Sequence, residues 1–192
     1  MKIAITGHTK GIGKAIYEHF QPNIIGFSRS NGYDILKDME SIFRESTDTT
    51  VFINNAHNAF AQTALLYRFV KWGYGGRELN NDPKGHIISI GSVASDAIRY
   101  RNSPYAIHKQ ALESANEQLF SLGHNTTLIK QGFVKTQKTL EKAADLDKKP
   151  WLKKHRIDKN TPDNALELHD VPRIIDFILD SPHRVKEISC SQ

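Results

Sequence analysis

The chain has 192 residues, 39% of them hydrophobic and 24% charged, with a formal net charge of +5. That length holds one domain with a full core, and the composition excludes a disordered or fibrous chain. A single cysteine excludes an internal disulfide, and no apolar run reaches bilayer-spanning length, so a soluble, cytoplasmic, non-membrane protein is expected.

Short apolar, β-branched runs alternate with longer helical patterns along the chain. Ile3-Ala4-Ile5 predicts a strand, and Gly11 to Phe20 a helix with Ile12, Ala15, Ile16 and Phe20 on one face. Ile24-Ile25-Gly26-Phe27 predicts a second strand, Tyr33-Asp34-Ile35 a short third, and Met39–Phe43 a helix. Val51-Phe52-Ile53 is expected as a fourth strand, Ala59 to Trp72 as an apolar helix, and His86-Ile87-Ile88-Ser89-Ile90 as a fifth strand. Tyr105 to Leu122 reads as a long helix, Thr127-Leu128-Ile129 as a sixth strand, Val171 to Leu179 as the last helix and Val185–Ser189 as the last strand.

Such alternation implies parallel strands joined by crossover helices. The expected fold is α/β, a doubly wound sheet of about seven strands in three αβα layers, forming one domain over residues 1–192. Gly73 to Gly85 reads as a connecting loop. Thr136 to Leu168 is polar and basic, and is expected to be a flexible segment on the substrate side. The densest basic cluster, Lys148 to Arg156, is too isolated to define a nucleic-acid module.

Thr6-Gly7-His8-Thr9-Lys10-Gly11-Ile12-Gly13 lies between a predicted strand and a predicted helix. Glycines there permit a tight turn and let backbone N–H groups approach a pyrophosphate at the positive end of the helix dipole. A site for NAD places an acid after the second strand to accept from the ribose 2′-hydroxyl. Here the segment is Gly26-Phe27-Ser28-Arg29-Ser30, with an arginine and no carboxylate. Arg29 and Lys10 match a 2′-phosphate, which favours NADP(H); the alternative is that both are ordinary surface charges.

Tyr105-Ala106-Ile107-His108-Lys109 sets a phenol and an ammonium at i and i+4, on one helical face. The ammonium stabilises a phenolate and moves the tyrosine toward general acid/base work. Ser92, just past the fifth strand, falls at the carboxyl end of the sheet, where its hydroxyl can hold a substrate carbonyl. Nine histidines include His8, His57 and His108 near these segments, but none pairs at a metal-ligand spacing with a third partner, so no metal is expected.

In order and spacing these segments resemble the short-chain dehydrogenase/reductase family. The matching residues are Thr6-Gly7-x-x-x-Gly11-Ile12-Gly13, Asn54-Asn55-Ala56, Ser92, Tyr105-x-x-x-Lys109, and Gly132-Phe133-Val134-Lys135-Thr136. The resemblance implies a Rossmann-type fold and an NADP(H)-dependent carbonyl reductase or alcohol dehydrogenase with catalytic Ser92, Tyr105 and Lys109. Implied cofactor contacts are Thr6, Gly7, His8, Lys10, Gly11, Ile12, Gly13, Ser28, Arg29, Asp34, Asn54, Asn55, Ala56, Tyr105, Lys109, Gly132, Val134 and Thr136.

The departures from the family pattern are as specific. His57 replaces the glycine that closes Asn-Asn-Ala-Gly, and Gln131 replaces a proline. No asparagine stands on the helix before the fifth strand; Gln62 is the nearest polar candidate there. These departures keep open a second reading, an NADP(H)-binding sensor with little activity. The expected partners are a small carbonyl or alcohol substrate and further copies of the chain, in a homodimer or homotetramer. Ala111, Leu112, Ala115, Leu119 and Leu122 form an apolar stripe that faces either such a partner or only the sheet.

Overall fold

The computed structural model describes residues 1–72, 85–96, 104–147 and 165–190. Most of the Gly73–Gly85 loop, residues 97–103 after Ser92, and the whole 148–156 basic cluster lie outside the described residues.

Six parallel strands form one sheet: β1 (Ile3–Thr6), β2 (Ile24–Phe27), β3 (Val51–Asn54), β4 (His86–Ile90), β5 (Thr126–Gln131) and β6 (Glu187–Cys190). Their spatial order is β2-β1-β3-β4-β5-β6. Among the described residues the α-helices are α1 (Gly11–His19), α2 (Met39–Glu45), α3 (Ala61–Lys71), α4 (Pro104–Ser121), α5 (Gln137–Asp147) and α6 (Asp170–Asp180).

Alternation along the strands builds two cores. Ile3, Ile5, Val51, Ile53, Ile88, Ile90 and Ile129 point to one face, where Ile16 of α1 and Val171, Ile175 and Ile178 of α6 cover them. Ala4, Phe27, Phe52, Ile87 and Leu128 point to the other, under α2, α3 and α4. Both faces are covered, which is why the central strands read as continuous apolar runs rather than as an alternating pattern. Phe52 stacks on Phe69 of α3 with ring centroids 3.7 Å apart.

Two expectations change. The sheet has six strands among the described residues, not about seven, because Tyr33-Asp34-Ile35 is not a strand. Asp34 Oδ1 accepts the Leu36 backbone N–H at 2.8 Å, and Asp38 Oδ2 accepts that of Asp34 at 2.8 Å. These side chains satisfy backbone groups that a ladder would otherwise pair, so a turn forms and β2 remains the sheet edge. In the α4 stripe, Leu112, Ala115 and Leu119 are buried in the chain's own core, whereas Leu122 is 68% exposed. The sheet takes most of that face. Among the described residues no helix is long and apolar enough to cross a membrane.

Candidate active site

Strand order reverses between β1 and β3, so their carboxyl ends splay into a crevice of the kind that receives ligands in such sheets. The glycine turn after β1 and Asn54-Asn55-Ala56 after β3 meet there. Thr6 Oγ1 accepts the backbone N–H groups of Asn55 (3.1 Å) and Ala56 (3.0 Å). Asn55 Nδ2 donates to the carbonyl oxygens of Thr6 (3.0 Å) and Gly7 (3.2 Å). Thr6 is fully buried, so its side chain and that of Asn55 fasten the turn to β3.

Gly7 and Gly11 adopt φ of +74° and +53°, a region costly for residues with a Cβ. Gly13 is required by proximity instead: a Cβ there would lie 2.0 Å from Gly7 O. Helix α1 starts from an extended Lys10, with no side chain capping its first turn and no acid within it. Thr136 stands opposite, its Cγ2 3.4 Å from where a Gly11 Cβ would be, while its hydroxyl bonds to Thr139 Oγ1 at 2.9 Å. Close backbone, uncapped N–H groups and the positive helix end fit the pyrophosphate of a dinucleotide.

His8 uses its side chain elsewhere. Its ring lies over Gly26, where a Cβ would come within 2.3 Å of His8 Cγ, and 4.7 Å from the Tyr17 ring. Ile12 is partly buried against the α1–α6 core. At the end of β2, the buried Ser28 donates its backbone N–H to Asn31 Oδ1 (2.7 Å), and Asn31 Nδ2 donates to Gly26 O (2.8 Å). That compact turn exposes Arg29, and Lys10 is exposed after the adjacent strand, whose Thr6 is in register with Phe27. Asp34 carries the turn described above.

Beyond β5, the Gly132 N–H donates to Cys190 O at 2.8 Å, and Val134 is buried and bridged to Leu166. These contacts tie that segment to the α6–β6 end of the chain.

Ser92 follows β4 and opens a short 3-10 turn, Val93–Ser95. Its Oγ accepts the Ala94 N–H at 3.2 Å, which leaves its own O–H as a donor. Helix α4 packs on this turn. Tyr105, on the first turn of α4, is 39% exposed, and Lys109, one turn on, is 4% exposed. Lys109 Nζ lies 5.7 Å from the Tyr105 ring centroid. It donates to Gln62 Oε1 (2.8 Å) and Ile90 O (2.7 Å), both neutral acceptors. Burial pushes the ammonium down to about 7, so the proton is labile at neutral pH.

The residue that departs from Asn-Asn-Ala-Gly stands beside the tyrosine. The His57 ring meets Tyr105 edge-on at 5.0 Å and His108 at 5.4 Å, and Phe60 meets His108 at 4.5 Å. Burial first, then the charges of Lys109, His108 and Lys138, push His57 down to about 4, leaving a neutral imidazole near pH 7. The sequence carries no signal for the contact between His108 and Phe60.

No protein-family model matches the chain, and no curated protein sequence matches it at a significant level. Solved structures do match in fold. Levodione reductase superposes with a TM-score of 0.73 at 14% identity, over 98% of this chain and 95% of that one. L-sorbose reductase from Gluconobacter frateurii, complexed with NADPH and L-sorbose, gives 0.71 at 15%, over 99% and 95%. An oxidoreductase of the short-chain dehydrogenase/reductase family from Burkholderia thailandensis gives 0.70 at 18%, over 99% and 91%. At these identities it is the fold that is shared: the chain has the short-chain dehydrogenase/reductase fold.

Proposed function

We propose that this chain is an NADP(H)-dependent oxidoreductase of the short-chain dehydrogenase/reductase type, interconverting an alcohol and a carbonyl through Ser92, Tyr105 and Lys109. The observation that carries this reading is Lys109, buried with neutral acceptors one helical turn from an accessible phenol. A buried ammonium without an acidic partner is costly, and such groups collect where a perturbed proton affinity is used.

Bound NADP(H) supplies or accepts the hydride. In the reducing direction Tyr105 gives its phenolic proton to the substrate oxygen, and in the oxidising direction it takes that proton. The Lys109 ammonium favours the phenolate over the phenol. Ser92, whose Oγ already accepts from Ala94, directs its O–H to the substrate oxygen. The glycine turn and the uncapped start of α1 hold the pyrophosphate, and Lys10 and Arg29 hold the 2′-phosphate. Structures of the same fold with NADPH or NADP+ bound, among them the sorbose reductase and a serine dehydrogenase, support the cofactor. Assembly into a homodimer or homotetramer belongs to the same reading, with Ile107 and Leu122 of α4 exposed.

Turnover of NADPH against a panel of small aldehydes and ketones tests the proposal. Tyr105→Phe should lower kcat by roughly 10²–10⁴-fold, the span of general acid catalysis, and leave NADPH affinity nearly unchanged. Tight NADPH binding without turnover in the unaltered chain would instead make it a sensor. Equal loss of binding and turnover would make Tyr105 structural.

A further inference from the structure

Behind Lys109 lies a polar arrangement that the proposed reaction does not itself require. Gln62, on the first turn of α3, is 2% exposed, yet every polar atom of its side chain has a partner. Nε2 donates to Asn54 O (2.6 Å) and Ile90 O (3.1 Å), the last residues of neighbouring strands β3 and β4. Asn54 Nδ2 returns the contact by donating to Gln62 O at 2.9 Å. Two carbonyl oxygens thus claim the two Nε2 hydrogens. This fixes the orientation of the amide, because the flipped form would set Oε1 against both carbonyls and Nε2 against an ammonium. Only Oε1 remains, and it faces Lys109 Nζ.

We propose that Gln62 is the positioning residue of Lys109, its neutral amide oxygen accepting a direct hydrogen bond from Nζ that sets where the ammonium sits and how readily it releases its proton. The inference rests on reading Lys109 as part of the Tyr105 site. Of the three hydrogens on Nζ, one goes to Gln62 and one to Ile90 O, so a single donor is left for a ribose hydroxyl or a water. Among the described residues, the titratable groups about Lys109 are Tyr105 on its own helix and His57 from the segment after β3, with His108 and Lys138 of α5 beside His57, and none of these is a carboxylate. Gln62 therefore contributes to keeping the proton on an amine that burial alone would strip further.

The test is a ¹³C NMR titration of the Lys109 Cε signal in the full chain, without cofactor. The unaltered protein should show a midpoint near 7. Gln62→Met removes the acceptor at nearly constant shape and should lower the midpoint by about one to two pH units, the equivalent of one hydrogen bond to a charged group. Gln62→Glu places a carboxylate against the ammonium and should raise it. A purely structural tie between β3 and β4 would leave the midpoint unmoved in Gln62→Met, and that result overturns the proposal. Should either variant not fold, the unaltered protein still decides: nuclear Overhauser contacts between Lys109 Hε and the Gln62 amide hydrogens are expected, and their absence overturns the proposal. The readout needs no turnover. Shifted midpoints in a chain without oxidoreductase activity refute the proposed function and leave the role of Gln62 standing; turnover with unmoved midpoints refutes that role alone.

Discussion

Replacing Lys109 with methionine should change not only activity but the pH dependence of folding stability. In the folded chain burial holds this amine at about 7, against 10.5 for an ordinary lysine. Between those values the unfolded chain binds the proton and the folded chain does not, so wild-type stability rises with pH across that window. Below pH 7 both states are protonated, and the cost of the buried charge is fully present. From pH 6 to pH 9 the folded amine loses its proton while the unfolded one keeps it, a span of about two pKa units. At about 1.4 kcal/mol per unit, wild type should gain about 3 kcal/mol relative to Lys109→Met over that interval. Groups common to both proteins cancel in the difference. Urea unfolding of both chains at pH 6, 7.5 and 9 measures it. A stability difference that stays constant with pH would refute the buried, labile ammonium and the catalytic role built on it.

Gly13→Ala should break the turn, because its Cβ would lie 2.0 Å from Gly7 O and 2.5 Å from Asn55 Nδ2. Overpacking of this kind costs roughly 1–3 kcal/mol or more, so a lower Tm and loss of NADPH binding are expected together; an unchanged Tm would show the turn to be looser than described. His86 bears on acid stability. Burial first, then Arg184, push its imidazole down to about 4 from 6.5, and its Nε2 bonds to Thr127 Oγ1 at 2.7 Å. Since Thr127 donates its own hydrogen to Val185 O, the imidazole is the donor to Thr127. The unfolded chain takes up the proton first as pH falls below 6.5, so stability should drop by up to about 3 kcal/mol toward pH 4. His86→Phe should flatten that slope by about one proton in urea unfolding between pH 6 and 4.5, and an unaltered slope would contradict the assignment.

The fold was legible because its signals are local and repeat. Every central strand carries β-branched or large apolar residues bounded by turn residues, and each crossover helix carries its own apolar face. The glycine turn and the Tyr105-x-x-x-Lys109 spacing were readable because each pattern falls within a few residues, although Thr6 and Lys109 find their hydrogen-bond partners far along the chain. No strand forms at Tyr33–Ile35, although Tyr and Ile favour strands, because the carboxylates of Asp34 and Asp38 bind the local backbone. The contact between Gln62 and Lys109 spans 47 positions and depends on the packing of α3 beside α4, so no window of sequence holds it. The seat of the His8 ring had one readable clue. Gly26 interrupts an otherwise apolar strand, and such a glycine marks close approach by another group.

In the proposed function the turn after β1 binds NADP(H), and Lys10 and Arg29 read the 2′-phosphate. Fluorescence titration of the unaltered chain and of the Lys10→Ala, Arg29→Ala double variant with NADPH and NADH tests it directly. Wild type should bind NADPH at least about tenfold more tightly than NADH, and the double variant should lose that margin by weakening NADPH while sparing NADH. Equal weakening of both cofactors, or no binding of either by wild type, would contradict it.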